Sequence, residues 1–315
     1  MKKPGSLRYP VLLYALLLVL VLAGLTWLGA EEPSDQAFMS LEEMLFTLLY
    51  AGTPGFLAIF IHRVKNRQPV SDLGFQFVVN RWWGVCLVLM PMLAVVTTCV
   101  GALWPGVSFD ASGYGFLDRL GPILDPDEHM RLNVLVALMP VSPLVTTCFE
   151  GLVVGSTLYA FLALGEELGW RGYVHHYMWN RGFWAQACVS GLIWAMWSLP
   201  LAGFMVSADR IRPETIVAVG LLRVVLAPVF TYLRIKTGSV MAVAIMHGQL
   251  YGLVRMPLIL LDGGGLHLIG VEGVCGIFAS TILVAGLWVF DKHWASEPIM
   301  STRDTNRTIH PVPTA

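Results

Sequence analysis

Two adjacent carboxylates and an arginine, Glu166, Glu167 and Arg171, stand in the segment Gly165-Glu166-Glu167-Leu168-Gly169-Trp170-Arg171-Gly172-Tyr173-Val174, at the end of a long apolar run. In water such a cluster would be an ordinary charged helix turn. Beside hydrocarbon it is costly, and ionisable groups kept there tend to be functional. Adjacent residues on a helix point about 100° apart, so Glu166 and Glu167 address different partners. Glu167 and Arg171 are four apart with the acid first, the favoured geometry for a helix ion pair. Glu166 is then without an obvious local counter-charge and free to act on something else. The competing reading is that all three residues anchor a helix end at the membrane surface.

Two further polar spots interrupt apolar runs. One is Trp194-Ala195-Met196-Trp197-Ser198-Leu199-Pro200-Leu201, and the other runs from Gly238 to Tyr251 and contains His247. Taken alone, a histidine in a transmembrane helix can simply bond a neighbouring carbonyl.

The elements that must position these groups are membrane helices. Of the 315 residues, 56% are hydrophobic and only 13% charged, against about 25% charge in soluble domains; the mean hydropathy is +0.67. Apolar runs long enough to cross a bilayer recur at roughly 10–30, 43–62, 82–104, 133–164, 183–205, 215–233, 240–261 and 270–290. The fourth is too long for one perpendicular helix, and Pro140 and Pro143 either kink it or split off a short interfacial piece. The fold class that follows is all-α: a multi-pass transmembrane helix bundle of about eight spans.

Basic residues orient it. With the N-terminus inside, fourteen of the twenty lysines and arginines fall in cytoplasmic segments and four (Arg119, Arg131, Arg210, Arg212) on the other face, while Arg223 and Arg255 lie within spans. The first external loop carries Glu31, Glu32, Asp35, Glu42 and Glu43 and no basic residue. Both termini are therefore expected in the cytoplasm, with the Glu166–Arg171 cluster near that surface. The first apolar stretch exceeds the roughly 7–15-residue core of a cleaved signal peptide and reads as an uncleaved helix. Cys86, Cys99, Cys148, Cys188 and Cys275 all lie in apolar runs without a CxxC pair, as small buried hydrophobes. A net charge of -1 argues against a nucleic-acid partner. No Walker loop or GxGxxG turn after a strand is present.

In order along the chain, Glu-Glu-x-x-x-Arg at 166–171, Trp194-x-x-x-Ser198 and His247-x-x-x-Tyr251 resemble the three motifs of the CAAX prenyl protease and bacteriocin-processing (CPBP, Abi) family of intramembrane endopeptidases. The resemblance covers roughly 145–262 and extends to Trp-Arg-Gly-Tyr at 170–173, Thr-Gly-Ser at 237–239 and, upstream, Asp72-Leu73-Gly74-Phe75. The chain then divides into N-terminal helices (1–144), a CAAX-protease-like core (145–262), a last transmembrane helix (263–294) and a Ser/Thr/Pro/Arg-rich tail (295–315) read as disordered. Two positions depart from the family pattern. Ser198 replaces a histidine within an otherwise familiar Trp-x-Leu-Pro-Leu context, and Tyr251 replaces an asparagine.

The resemblance implies that Glu166 activates water, that His247 with Tyr251 stabilises the oxyanion, and that Glu167 and Arg171 hold the helix end. It implies a peptide or protein substrate, with prenylation left open, in a setting of membrane lipid: the cell membrane of a bacterium or the endoplasmic reticulum of a eukaryote. The family has been read both as metal-dependent, with zinc, and as glutamate-driven. A serine hydroxyl neither takes a proton near neutral pH nor binds zinc as an imidazole does, and Glu166 with His247 falls short of the usual three protein ligands. His175 and His176 are candidates to compensate. Arg223 and Arg255 either receive a peptide carboxylate or pair with Glu150. Two other functions stay open: a catalytically silent relative that binds a membrane peptide or protein, and a small transporter with a proton relay, for which no paired repeat is visible.

Overall fold

An apolar chain in hydrocarbon must satisfy its backbone N–H and C=O groups within itself, and this one does so with helices. The computed structural model describes residues 8–28, 41–122, 124–207 and 213–301. Lys2, Lys3, Glu31, Glu32, Asp35, Arg210, Arg212, Arg303 and Arg307, which entered the charge count, lie outside them. The helices are α1 (Arg8–Leu28), α2 (Leu41–Phe60, continued by Ile61–Lys65), α3 (Arg81–Ala102), α4 (Tyr114–Leu120), α5 (Pro126–Leu138), α6 (Pro143–Arg181), α7 (Phe183–Ser207), α8 (Pro213–Thr237), α9 (Val240–Leu253), α10 (Met256–Leu260), α11 (Leu266–Ile269) and α12 (Val274–His293). Among the described residues six stretches, not the eight expected, are long and apolar enough to cross a membrane: Met44–Lys65, Arg81–Ala102, Pro143–Arg181, Pro213–Thr237, Val240–Leu260 and Leu266–His293; a shorter apolar helix covers Pro10–Leu25, and the run expected at 183–205 is not among the six. The only strands among the described residues are two-residue pieces, β1 (Ser108–Phe109) and β2 (Leu261–Asp262), paired antiparallel.

The fourth apolar run is corrected by its capping residues. Helix α5 starts on Asp125, whose carboxylate accepts from Asp127 N with Pro126 at the first position, and it ends at Leu138. Ser142 and Pro143 start a new helix in the same way. This helix does not stop near 164 but continues to Arg181, taking wider π-type turns at Glu150–Tyr159 and Leu168–Val174. The motif carboxylates thus sit inside a long helix and are buried, rather than at a helix end.

Small residues decide how closely α6 meets its neighbours. Gly151 and Gly155 on α6 face Gly248 and Gly252 on α9, and Gly165 faces Ala51 and Gly52 on α2. A Cβ at Gly248 would come within 2.2 Å of the Gly155 carbonyl oxygen, and one at Gly165 within 2.4 Å of that of Ala51. Backbone cannot yield as a flexible side chain can. Gly248→Ala is therefore expected to lower stability by about 1–3 kcal/mol or more. Gly286→Ala, with open space around it, should cost little. Thermal unfolding in detergent compares the two, and equal melting temperatures would contradict the close seam.

Within the segment after α12, the described residues 295–301 pack against α12. Asp291, fully buried, accepts from the backbone N–H groups of Ile299, Met300 and Ser301 and from the Ser301 hydroxyl. Trp184 Nε1 adds a bond to the Met300 carbonyl at 3.0 Å. A buried carboxylate that collects this many donors closes the chain onto α12, an effect of three-dimensional placement that composition does not carry.

Candidate active site

Glu167 is the hub. Its Oε1 accepts from His247 Nδ1 at 2.8 Å, Arg171 Nη1 at 2.9 Å and Trp170 Nε1 at 3.2 Å. The i,i+4 pair with Arg171 forms as its spacing predicts, with both side chains buried. A carboxylate inside a helical bundle is tolerable only with such partners. The arginine also lies against two aromatic rings, its guanidinium carbon 4.6 Å from the Trp194 ring centre and 4.7 Å from that of Phe230. Arg234 Nε donates to the Arg171 carbonyl at 2.9 Å, and its Nη2 reaches the Leu73 carbonyl at 3.4 Å.

Glu166 points elsewhere, as adjacent helical positions require. Its Oε1 accepts from the Tyr251 hydroxyl at 2.7 Å. Tyr251 and His247 share one face of α9, their rings 4.6 Å apart, so a turn of α9 carries one partner for each glutamate. The histidine ring is also 4.8 Å from that of Trp194. Glu166, Glu167, Arg171, Trp194, His247 and Tyr251 therefore form one connected cluster contributed by α6, α7 and α9.

Ser198 stands one turn from Trp194 on α7, but its hydroxyl donates to the Trp194 carbonyl at 3.0 Å. Its described bond is thus local to α7. Near it, Tyr50 of α2 stacks on Trp197, ring centres 4.5 Å apart, and its hydroxyl bonds the Trp197 carbonyl.

Several buried polar atoms of the cluster have no partner among the described residues: His247 Nε2, Trp194 Nε1, Arg171 Nε and Nη2, and Glu167 Oε2. Arg223 joins the same wall. Its guanidinium carbon lies 5.1 Å from the Trp194 ring centre, its Nη2 binds Glu272 at 2.5 Å, and its Nε and Nη1 are likewise unpartnered. Unpaired buried donors are rare in native proteins and each calls for a cause, such as a catalytic role.

Of the two alternatives for the arginines within spans, Arg255 takes the pairing one, binding Glu150 at 2.7 Å, which also accepts from Tyr159. Arg223 pairs instead with Glu272, a residue the sequence did not single out. The compensating histidines go elsewhere. His175 is buried with its ring 5.3 Å from that of Trp179. His176 joins His62 and Asp72, whose ligand atoms lie within 4.8 Å of one another, and this is the one His/Cys/Asp/Glu group of metal-binding type among the described residues. Hydrogen bonds already occupy both His62 nitrogens, to Tyr177 at 3.2 Å and to the Pro69 carbonyl at 3.1 Å, and His176 Nδ1, to the Asp72 carbonyl at 3.2 Å.

A catalytic zinc would need about three protein ligands. His247 suits one, since its Nδ1 is oriented by a carboxylate and its Nε2 is unpartnered, and Glu166 offers a second. The third position of the family motif is Ser198, with its hydroxyl turned to its own helix. The donor set present at this centre does not fit a three-ligand zinc site.

The sequence flagged Asp72-Leu73-Gly74-Phe75, and the structure gives it a task. Gly74 adopts φ +79°, open to glycine but strained for other residues. A Cβ there would also meet the Arg234 guanidinium at 1.9 Å. The turn so formed accepts Val240 N on the Gly74 carbonyl at 3.0 Å, just after Ser239 caps α9 through Met241 N. The loop thereby fixes the start of the helix that carries His247.

Residues 149–251 match the family model described as Rce1-like: type II CAAX prenyl endopeptidase Rce1-like. The matched stretch holds the whole cluster, and over these residues the chain is similar to the CAAX prenyl endopeptidase family. No match is found among curated proteins. With its long apolar helices, the chain is an integral, multi-pass membrane protein with a CAAX-protease-type fold.

Proposed function

We propose that the protein is an intramembrane endopeptidase that hydrolyses a peptide or protein substrate at the cytoplasmic membrane face. The observation that carries this reading is the division of labour between the two glutamates: Glu167 is fixed through one oxygen by His247, Arg171 and Trp170, whereas Glu166 has only the Tyr251 hydroxyl as a described hydrogen-bond partner.

In the proposed reaction Glu166 takes a proton from water as the water oxygen bonds to the scissile carbonyl carbon. Tyr251 holds one carboxylate oxygen and leaves the other for the water. His247 gives its Nδ1–H to Glu167, and with a second proton its Nε2 donates to the oxyanion that forms. Trp194 Nε1 is a further donor on the same wall. When the tetrahedral species collapses, the C–N bond breaks and the proton on Glu166 passes to the leaving amine. Arg171 keeps Glu167 in place and has no direct part in the step.

Ser198 favours a second reading, a relative that binds a membrane peptide without cutting it, since the family's imidazole is gone. Cleavage of an internally quenched, farnesylated peptide ending in Cys-aliphatic-aliphatic-X by protein reconstituted in liposomes tests both readings. Wild type is expected to cleave weakly, and Ser198→His to gain on the order of 100-fold, the lower range for supplying an acid–base group. Ser198→Ala should change little, because the hydroxyl is spent on its own helix. Binding of the peptide with no turnover in any form would favour the silent relative.

A further inference from the structure

Away from the glutamate cluster, three helix ends meet at one end of the bundle: the start of α3 and the ends of α8 and α12. They enclose a cavity of about 410 Å³ lined principally by Arg81, Trp82, Val85, Lys236, Phe290 and Trp294. Two of these are cations and none of the lining residues is acidic. Both cations are set against aromatic faces: Lys236 Nζ is 5.8 Å from the Trp82 ring centre and 5.5 Å from that of Tyr232, and the Arg81 guanidinium carbon is 5.7 Å from Trp82. Lys236 gives one N–H to the Glu297 carbonyl at 2.6 Å; an ammonium has three to give. Two acids outside the lining, Asp291 and Glu297, act on Lys236; the Asp291 carboxylate is also bound by the backbone of residues 299–301.

We propose that this cavity binds the phosphate of an anionic phospholipid headgroup. Two cations on an aromatic floor, between helix ends, match the chemistry of a phosphate diester carrying a net negative charge. The surroundings select a lipid over a free anion. Val85 leads down α3 to Val88 and Met92, three and seven residues on, and both are exposed on the outside of the bundle; on α12, Phe290 is also exposed and leads to Val289. These surfaces are where acyl chains would lie once the headgroup is seated. Trp294, which also lines the cavity, is exposed, as suits tryptophan at a membrane interface. The site makes no use of Glu166 or His247 and stands whether or not the protein cuts peptides.

The test uses the full chain in mild detergent. Phosphatidylglycerol is expected to raise the melting temperature by about 5 °C over phosphatidylcholine at the same concentration, and to remain bound in native mass spectrometry. Arg81→Gln with Lys236→Gln should reduce the gain to the phosphatidylcholine level, while the charge-preserving pair Arg81→Lys with Lys236→Arg should keep it. Equal stabilisation by both lipids would overturn the proposal. So would a gain from phosphatidylglycerol that inorganic phosphate reproduces alone, since the site would then take a soluble anion. If the glutamine pair does not fold, the wild type and the charge-preserving pair still decide among these outcomes.

Discussion

Glu166→Gln is expected to lower peptide hydrolysis by on the order of 100- to 10,000-fold while leaving the protein folded. The rate falls because an amide cannot take the proton of the attacking water, and a positioned base contributes about that much. The fold persists because the amide oxygen still accepts from the Tyr251 hydroxyl, which now sits 2.7 Å from the carboxylate. Rates on the reconstituted protein and melting temperature in the same preparation form the check. A variant that melts as wild type does and cleaves within a few-fold of it would remove Glu166 from the chemistry.

Glu167→Ala should instead unfold or strongly destabilise the bundle. It strips three donors of their acceptor at once, and the Arg171 guanidinium would be left charged and buried. Breaking a buried pair from one side costs about 3–5 kcal/mol, which is a large share of the stability of most proteins. Adding Arg171→Ala should restore part of the loss, because the two residues share one interaction and their effects are not additive. A melting temperature unchanged by Glu167→Ala would sink the view of this carboxylate as the hub.

The contrast between the two acids was only half legible in the sequence. Spacing alone paired Glu167 with Arg171 and turned Glu166 away, since a helix repeats locally. It did not reveal that His247, eighty residues on, would bind Glu167, or that Tyr251 would find Glu166; such contacts depend on how α6 and α9 cross. The signal for that crossing was present as glycines at 151, 155, 248 and 252, spaced four apart in each helix, but glycine spacing does not name its partner. The all-α, multi-pass class followed from hydropathy, because lipid leaves a chain few alternatives; the count of eight did not, since six described stretches are long and apolar enough to span. The end of α6 did not, since burial against other helices lets polar Glu166 through Arg171 continue a helix that composition would stop. Glu272 opposite Arg223 and the placement of residues 295–301 come from loops, where pairing follows from packing and not from periodicity.

The glycine seams have a mechanical consequence. Helices that touch through backbone atoms have no side-chain layer between them to shear or repack, so α2, α6 and α9 respond to force as one solid. A bilayer that thins, thickens or changes its lateral pressure acts first on the helices joined by compressible side chains, which tilt to restore the hydrophobic match. The spacing between Glu166 on α6 and Tyr251 on α9 is thereby expected to change little with the state of the surrounding lipid.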